Sequence, residues 1–417
     1  MRAAKHKLWM VKMKKTNIKK IRFALFCLLI FLAIEMPTGF LKAKIFLAFA
    51  PDNSLAMHFY ALPRPESTVC TDGVSPIFID VALVDSNFEP VPFTLIKVYM
   101  NNFSGKIKPK YPMTDKYGRV TISILPDSLQ TIGSYSNSMQ AVGSYPNSIQ
   151  TGSGYPDSDK LFDIDVSIEL EAKKSKRIKC DLKLSPPPVL LIHGFQDTSE
   201  SMVPLKLYLE NKGLRVYAID YTTNSDIEAM SEALSDYIDK IRSDLADINV
   251  FANKVDIVAH SLGGLVSRYY STNNFYSEKL NIRKIIFINV PHHGTPWAEA
   301  GASLLDSPFL KQLYPTADLF TSTFPSSINK GLNHKIQVAN IALENDEVVP
   351  LPSSMLDSWG INTKIFRIGS DPLSLESIIS DQAGGSSKHR QILFFIPVFE
   401  DILQYLTYNQ SYPQKRR

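Results

Sequence analysis

The stretch "VDIVAHSLGGLVSRYY", residues 255–270, decides the reading of the C-terminal half of this chain. It begins as an apolar run of strand character, turns at a corner of small residues, and resumes with apolar side chains at helical spacing. Ser261 stands at the corner, between Ala259-His260 and Leu262-Gly263. This is the Gly-x-Ser-x-Gly pattern with alanine in place of the first glycine. A strand-to-helix turn this sharp has no room for bulk at its flanks, and it presents the serine Oγ clear of the sheet. Serine is also a frequent helix N-cap, so the corner by itself also reads as a capped tight turn.

The surrounding sequence supplies a fold for that corner. The apolar runs "VLLI", "LRVYAID", "KVDIVA", "KIIFINV", "KIQVANIAL" and "TKIFRIG" alternate with helical stretches such as "IEAMSEALSDYIDKIRSDL". Buried β runs separated by amphipathic helices predict an α/β architecture, a doubly wound parallel sheet covered by helices. The expected domain spans 187–410, and the triproline in "SPPPVLLIHGF" reads as a stiff spacer in front of it. Residues 297–333 mix small and large apolar residues with few charges, which suits a lid or a plain helical cap.

An alcohol is a weak nucleophile at neutral pH, so a reactive Ser261 needs a base and an orienting acid. On such a sheet the chain order is serine, acid, histidine, and His389 is the single histidine after residue 334. The acid belongs after "KIQVANIAL", where Asp346 lies in "ENDEVVP" at the strand's carboxyl end. Glu344 and Glu347 are adjacent competitors, and Asp371 is a spare. His260 is expected to pack, its side chain pointing away from that of Ser261. His292 and His293 suggest zinc, but no third ligand stands at metal-site spacing, so they read as loop structure beside a pocket. No metal or other cofactor is called for.

The motifs "LLIHGF", "AHSLGG", "PHHGTP", "NDEVVP" and "SSKHRQI" together make the domain resemble the α/β-hydrolase family, particularly lipases and inositol-deacylase-like esterases. The resemblance implies an ester hydrolase working through an acyl-serine, with Ser261, Asp346 and His389 as catalytic residues and a lipid or other ester as substrate. It also implies an oxyanion hole formed by the backbone NH groups of Phe195 and Leu262, with His193 and Gly194 shaping the loop. Two other functions fit the same sequence: an acyltransferase, if an alcohol replaces water, and a catalytically silent surface-binding protein.

The net charge of +4 conceals an asymmetry. Residues 1–22 carry nine Lys or Arg and no acid, which leaves +4 − 9 = −5 for the remainder. The basic tract runs into twelve apolar residues, "FALFCLLIFLAI", so 1–50 reads as an export segment, cleaved signal or anchor, rather than a nucleic-acid arm. The expected location is therefore extracytoplasmic, with a membrane surface as a possible partner. Residues 65–183 show period-two alternation with turn punctuation and predict an all-β sandwich domain. "EPVPFTLIKVYM" and "TDKYGRVTISI" within it resemble immunoglobulin-like and transthyretin-like modules, with Thr114, Asp115 and Gly118 forming a turn. A decapeptide repeated three times, 128–157, reads as an expanded surface loop. Cys70 and Cys180 flank this region, either as a disulfide or as separate thiols. Oligomeric state is not legible.

Overall fold

The computed structural model describes residues 44–49, 67–71, 76–85, 89–126, 164–172, 177–223, 225–272, 279–305, 308–369 and 387–407. The apolar leader at 23–34, the decapeptide repeats and Asp371 lie outside them. Among the described residues no helix is long and apolar enough to cross a membrane.

The front half forms β1 (Lys44–Phe49), β2 (Ser67–Cys70), β3 (Ile77–Leu83), β4 (Ile96–Met100), β5 (Gly105–Lys108), β6 (Arg119–Pro126), β7 (Ile164–Ala172) and β8 (Ile178–Ser185). The back half adds β9 (Val189–Ile192), β10 (Val216–Ile219), β11 (Val250–Ala252), β12 (Val255–His260), β13 (Ile282–Ile288), β14 (Gln337–Leu343) and β15 (Thr363–Phe366). Its main helices are α1 (Val203–Asn211), α2 (Ile227–Asp247), α3 (Leu262–Thr272), α4 (Trp297–Leu305) and α5 (Ile396–Thr407).

The front strands make two sheets, ordered β1-β3-β6-β5 and β11-β2-β8-β7-β4. Their alternation is the physical link between them: Ile77, Ile79, Val81 and Leu83 of one sheet and Val166, Ile168, Leu170 and Leu182 of the other enter one buried cluster. Asp115 closes the turn before β6, its carboxylate accepting the amides of Tyr117 and Arg119 at 2.8 and 2.9 Å. Cys70 and Cys180 are separate buried thiols, and burial pushes the Cys180 thiol up to about 12.

The back sheet has the order β10-β9-β12-β13-β14-β15, with every neighbouring pair parallel. β12 and β13 are buried along their whole length, as strands covered on both faces must be. One face packs α1 and α5, through Leu205, Leu209, Val398 and Ile402. The other packs α2 and α3, through Ile227, Met230, Leu234, Ile238, Ile241 and Leu245 of α2. These side chains recur every three or four residues, and Asp226 caps the helix by accepting the Ala229 amide at 2.8 Å.

Two features depart from a front module joined by a spacer. Pro187 and Pro188 are buried rather than exposed, and the Pro188 carbonyl accepts the Asp256 amide at 2.9 Å. Proline has no N–H to leave unsatisfied, so burying it costs little here. In addition, β11 departs from the segment between α2 and β12 to pair in parallel with β2, so the back half contributes an edge strand to a front sheet. Pairing between elements so distant in sequence leaves no periodic signature.

The interior of the parallel sheet holds one bidentate ion pair. Arg283 Nε donates to Asp256 Oδ1 at 2.8 Å, its Nη2 reaches Oδ2 as well, and the same nitrogen donates to the Leu406 carbonyl at 3.0 Å. Lys284 Nζ donates to the Tyr405 carbonyl at 2.7 Å, and burial pushes this amine down to about 7. Both cations thus fasten the end of α5 to β13. Removing the carboxylate strands a buried guanidinium, so Asp256→Ala is expected to cost about 3–5 kcal/mol in urea unfolding at neutral pH. A loss below about 1 kcal/mol would show that water reaches Arg283.

Candidate active site

β12 delivers the chain to the corner and α3 carries it away, with Ser261 between them at φ 50°. A non-glycine residue in the left-handed region costs of order 1 kcal/mol or more, and surrounding contacts must hold it there. They do: the Ser261 amide donates to the Ile288 carbonyl at 3.0 Å, and its own carbonyl accepts the Gly264 amide at 3.0 Å. The two glycines are required by proximity. A Cβ on Gly263 would lie 2.6 Å from the His193 carbonyl oxygen, and one on Gly264 would lie 2.1 Å from Val290 Cγ2. Gly264→Ala is therefore expected to destabilise by about 3 kcal/mol or more, with Val290→Ala in the same chain restoring part of the loss. Thermal unfolding of both variants checks this; a neutral single variant would mean the helix can slide away from β13.

Ser261 is 8% exposed, so the corner presents it into a covered site rather than to open solvent. The cover includes the 193–195 loop. A Cβ on Gly194 would lie 3.1 Å from both Ser261 Cβ and His260 Nδ1, which places that loop's backbone directly against the serine. His193 is buried, its ring stacked on Tyr221 at 4.5 Å, and its carbonyl accepts the Tyr221 hydroxyl at 2.8 Å. The Phe195 ring stacks on Phe309 at 6.1 Å. Leu262 occupies the first position of α3, where an amide has no acceptor within its own helix.

Asp346 follows β14 and meets His389, with Asp346 Oδ2 at 2.6 Å from His389 Nδ1. The other carboxylate oxygen accepts the Val348 and Val349 amides at 2.7 and 2.9 Å. Those bonds fix the carboxylate's orientation. The Asp346 side chain is 1% exposed and that of His389 9%, so the pair is shielded from water. His389 lies in the short helix Lys388–Gln391. Of the competing acids, Glu347 reaches only the His389 amide, at 3.5 Å, and Glu344 faces Arg367 on the surface.

His260 links the two halves of this constellation. Its Nε2 lies 3.0 Å from the His389 carbonyl oxygen, and the rings sit 4.6 Å apart. Burial first, then the field of His389, holds His260 well below the usual histidine range. The neutral ring therefore donates through Nε2 and pins the turn that carries His389 to the end of β12. No hydrogen bond joins the Ser261 hydroxyl to His389 in this arrangement; such contacts are commonly long without substrate.

His292 and His293 serve the neighbouring loop. His292 is buried, its Nε2 at 3.3 Å from Asn340 Oδ1 and its Nδ1 at 3.2 Å from Arg268 Nη1. The His293 ring packs in a tilted arrangement against Trp359, with centroids 5.7 Å apart. Arg268 is a residue that sequence reasoning did not single out. It is 1% exposed, donates to the carbonyls of His292 and Gly331 at 3.0 and 3.1 Å, and lies over the Phe324 ring at 3.9 Å. Burial pushes its guanidinium down to about 9. A charge within "LGGLVSRYY", seven residues after Ser261, was its sequence signal. Through Arg268, α3 holds both the 291–294 loop and the 319–333 segment. Within 297–333, Phe309, Leu310, Leu313, Leu319, Phe324 and Leu332 are buried against the sheet core.

Residues 186–280 match the family model described as Lipase (class 2). Among solved structures, the chain is similar to the Bacillus licheniformis lipase BlEst2 in its propeptide form, at 16% identity and TM-score 0.40, over 55% of this chain and 52% of that one. The chain thus spans about half the length of that protein. It is similar to the lin2722 gene product of Listeria innocua at 16% identity and TM-score 0.39, over 55% of this chain and 96% of that one. For the ydeN gene product of B. subtilis the values are 16% and 0.36, over 53% and 100%. The parallel sheet order, the helices on both faces and the strand–Ser261–helix corner together describe an α/β-hydrolase-like fold.

Proposed function

We propose that the chain is a serine carboxylic-ester hydrolase acting on lipid esters. The reading is carried by one observation: a buried Asp346–His389 pair at 2.6 Å, tied through His260 to the corner that holds Ser261 at φ 50°. It is supported by the lipase match over the segment containing that corner.

In the proposed cycle Ser261 Oγ attacks the ester carbonyl while His389 Nε2 takes the hydroxyl proton, and Asp346 holds the Nδ1–H and stabilises the imidazolium. The carbonyl π electrons move to oxygen, and the amides of Phe195 and Leu262 stabilise that oxyanion, each by about 3–4 kcal/mol. Collapse expels the alcohol, which takes the proton from His389. Water then attacks the acyl-serine, giving its proton to His389, and the acid leaves as Ser261 regains its hydrogen. The chain's own groups supply every proton transfer, so the cycle invokes no cofactor. We read the front sheets as an appended module of the immunoglobulin-like or transthyretin-like kind, and, within residues 1–50, the basic and apolar tract ahead of β1 as the segment that exports or tethers the chain.

A fluorophosphonate probe tests the proposal. Wild type is expected to label and Ser261→Ala to remain unlabelled. Folded wild type that stays unlabelled, or equal labelling of the variant, sinks the assignment. Profiling unlabelled wild type against esters of increasing acyl length then separates lipase from short-chain esterase.

A further inference from the structure

We infer that the outer face of the ribbon formed by 93–97 and 111–115 docks on an anionic lipid bilayer. Leu95 and Met113 oppose each other across an antiparallel bridge. The Phe93 amide donates to the Thr114 carbonyl at 3.0 Å, and the Ile96 amide to the Pro112 carbonyl at 2.8 Å. With that register, Thr94, Ile96, Pro112 and Thr114 turn inward and are buried, whereas Phe93, Leu95, Lys97, Tyr111 and Met113 turn outward.

The outward set is apolar to an unusual degree. Phe93 is 68% exposed, Leu95 39%, Tyr111 69% and Met113 53%, and Tyr117 of the adjoining turn is 57% exposed. These are five of the twelve large hydrophobic residues exposed among the described residues, gathered within 25 positions of sequence. Contiguous exposed apolar side chains mark an interaction surface rather than chance. Phe93 also has φ 49°. A bulky residue in the left-handed region is under strain, and here the strained backbone directs an aromatic ring away from the core.

Charge selects the occupant. Residues 93–117 contain five lysines, Lys97, Lys106, Lys108, Lys110 and Lys116, and one acid, Asp115. Asp115 is engaged by the turn amides, and Lys97 is paired with Glu171 at 3.3 Å. Lys110 and Lys116 lie over the Tyr111 and Tyr117 rings at 5.5 and 4.8 Å. A groove of about 320 Å³ opens between Leu95, Tyr99, Ile107, Lys110 and Tyr111. An acidic protein or a nucleic acid would match the lysines but would leave the Phe, Leu and Met side chains without a partner. A bilayer of anionic lipid matches both, since aromatic and aliphatic groups enter the acyl boundary while lysine stems reach the headgroups.

This inference goes beyond the esterase reading, and vesicle binding is scored without turnover. Flotation of the full chain with vesicles of phosphatidylcholine, or of phosphatidylcholine with phosphatidylglycerol, supplies the measurement. Residues 1–50 are common to every variant, so differences between variants report the ribbon face. Wild type is expected to bind the anionic vesicles more tightly. The triple substitution Phe93→Ser, Tyr111→Ser, Met113→Ser, and separately Lys108→Glu, Lys110→Glu, Lys116→Glu, should each weaken that binding by about tenfold or more. Phe93→Gly relieves the strained φ, so it should lower binding while keeping the thermal midpoint at or above wild type. That variant decides the matter should the triple variants misfold. Binding by all variants at the wild-type level, equal binding of wild type to both vesicle types, or no binding at all overturns the inference. Hydrolysis of a short soluble ester by the same samples reports separately on the catalytic proposal.

Discussion

Ser261→Ala is expected to lower kcat for ester hydrolysis by about 10⁶, with little change in KM or in the urea midpoint. In the proposed cycle the hydroxyl forms the bond that carries the acyl group, so no neighbouring side chain substitutes for it. Its loss removes one polar atom from a small residue and leaves the β12–α3 corner intact, so the fold should survive. Alanine tolerates φ 50° about as poorly as serine, which makes the variant a clean comparison for backbone strain. The residual rate should reflect oxyanion stabilisation and substrate binding alone. A loss below tenfold would assign the chemistry to another group and end the acyl-serine mechanism for this chain.

Asp346→Asn should come next in size, lowering kcat by about 10⁴. The amide is isosteric with the carboxylate, so the substitution isolates charge and tautomer from packing. Asp346 Oδ1 accepts the Val348 and Val349 amides, leaving Oδ2 for His389 Nδ1. In the variant the side-chain oxygen is expected to stay with the two backbone donors, since an NH₂ there would face donors on both sides. The NH₂ would then point at Nδ1 and drive the imidazole proton to Nε2, where the base must be free to accept. Single-turnover rates against pH check this. A variant within tenfold of wild type at every pH would show that Glu347, or water, orients His389 instead.

Much of the scaffold was legible because it follows from local periodicity. The buried runs around residues 189–192, 255–260, 282–288 and 337–343 are too apolar for strands with one wet face, and the strands lie inside a parallel sheet. The α2 pattern from Ile227 onward, preceded by Asp226, announced both its buried face and its cap. The Ser261 corner was legible because its glycines have no alternative: contacts to His193 and Val290 exclude any side chain.

Other features had no local signal. Arg268 reads as an ordinary helix-surface arginine, since nothing nearby in sequence reveals that distant carbonyls at His292 and Gly331 surround it. The burial of Ser261 depends on a loop some 65 residues upstream. The sequence read 93–100 as a strand and Thr114 and Asp115 as part of a turn, and only the three-dimensional register put Lys97 and the exposed apolar residues of 93–97 and 111–115 on one face.

The sequence by itself determined the main strands and helices of the parallel sheet, and where a small-residue corner must lie, because backbone propensity and apolar spacing act over a few residues. Tertiary structure decided which groups meet: β11 against β2, Asp346 against His389, His260 against the turn beyond it. Those meetings depend on burial and hydrogen-bond satisfaction between segments far apart in the chain, and such terms exist only once the segments are packed together.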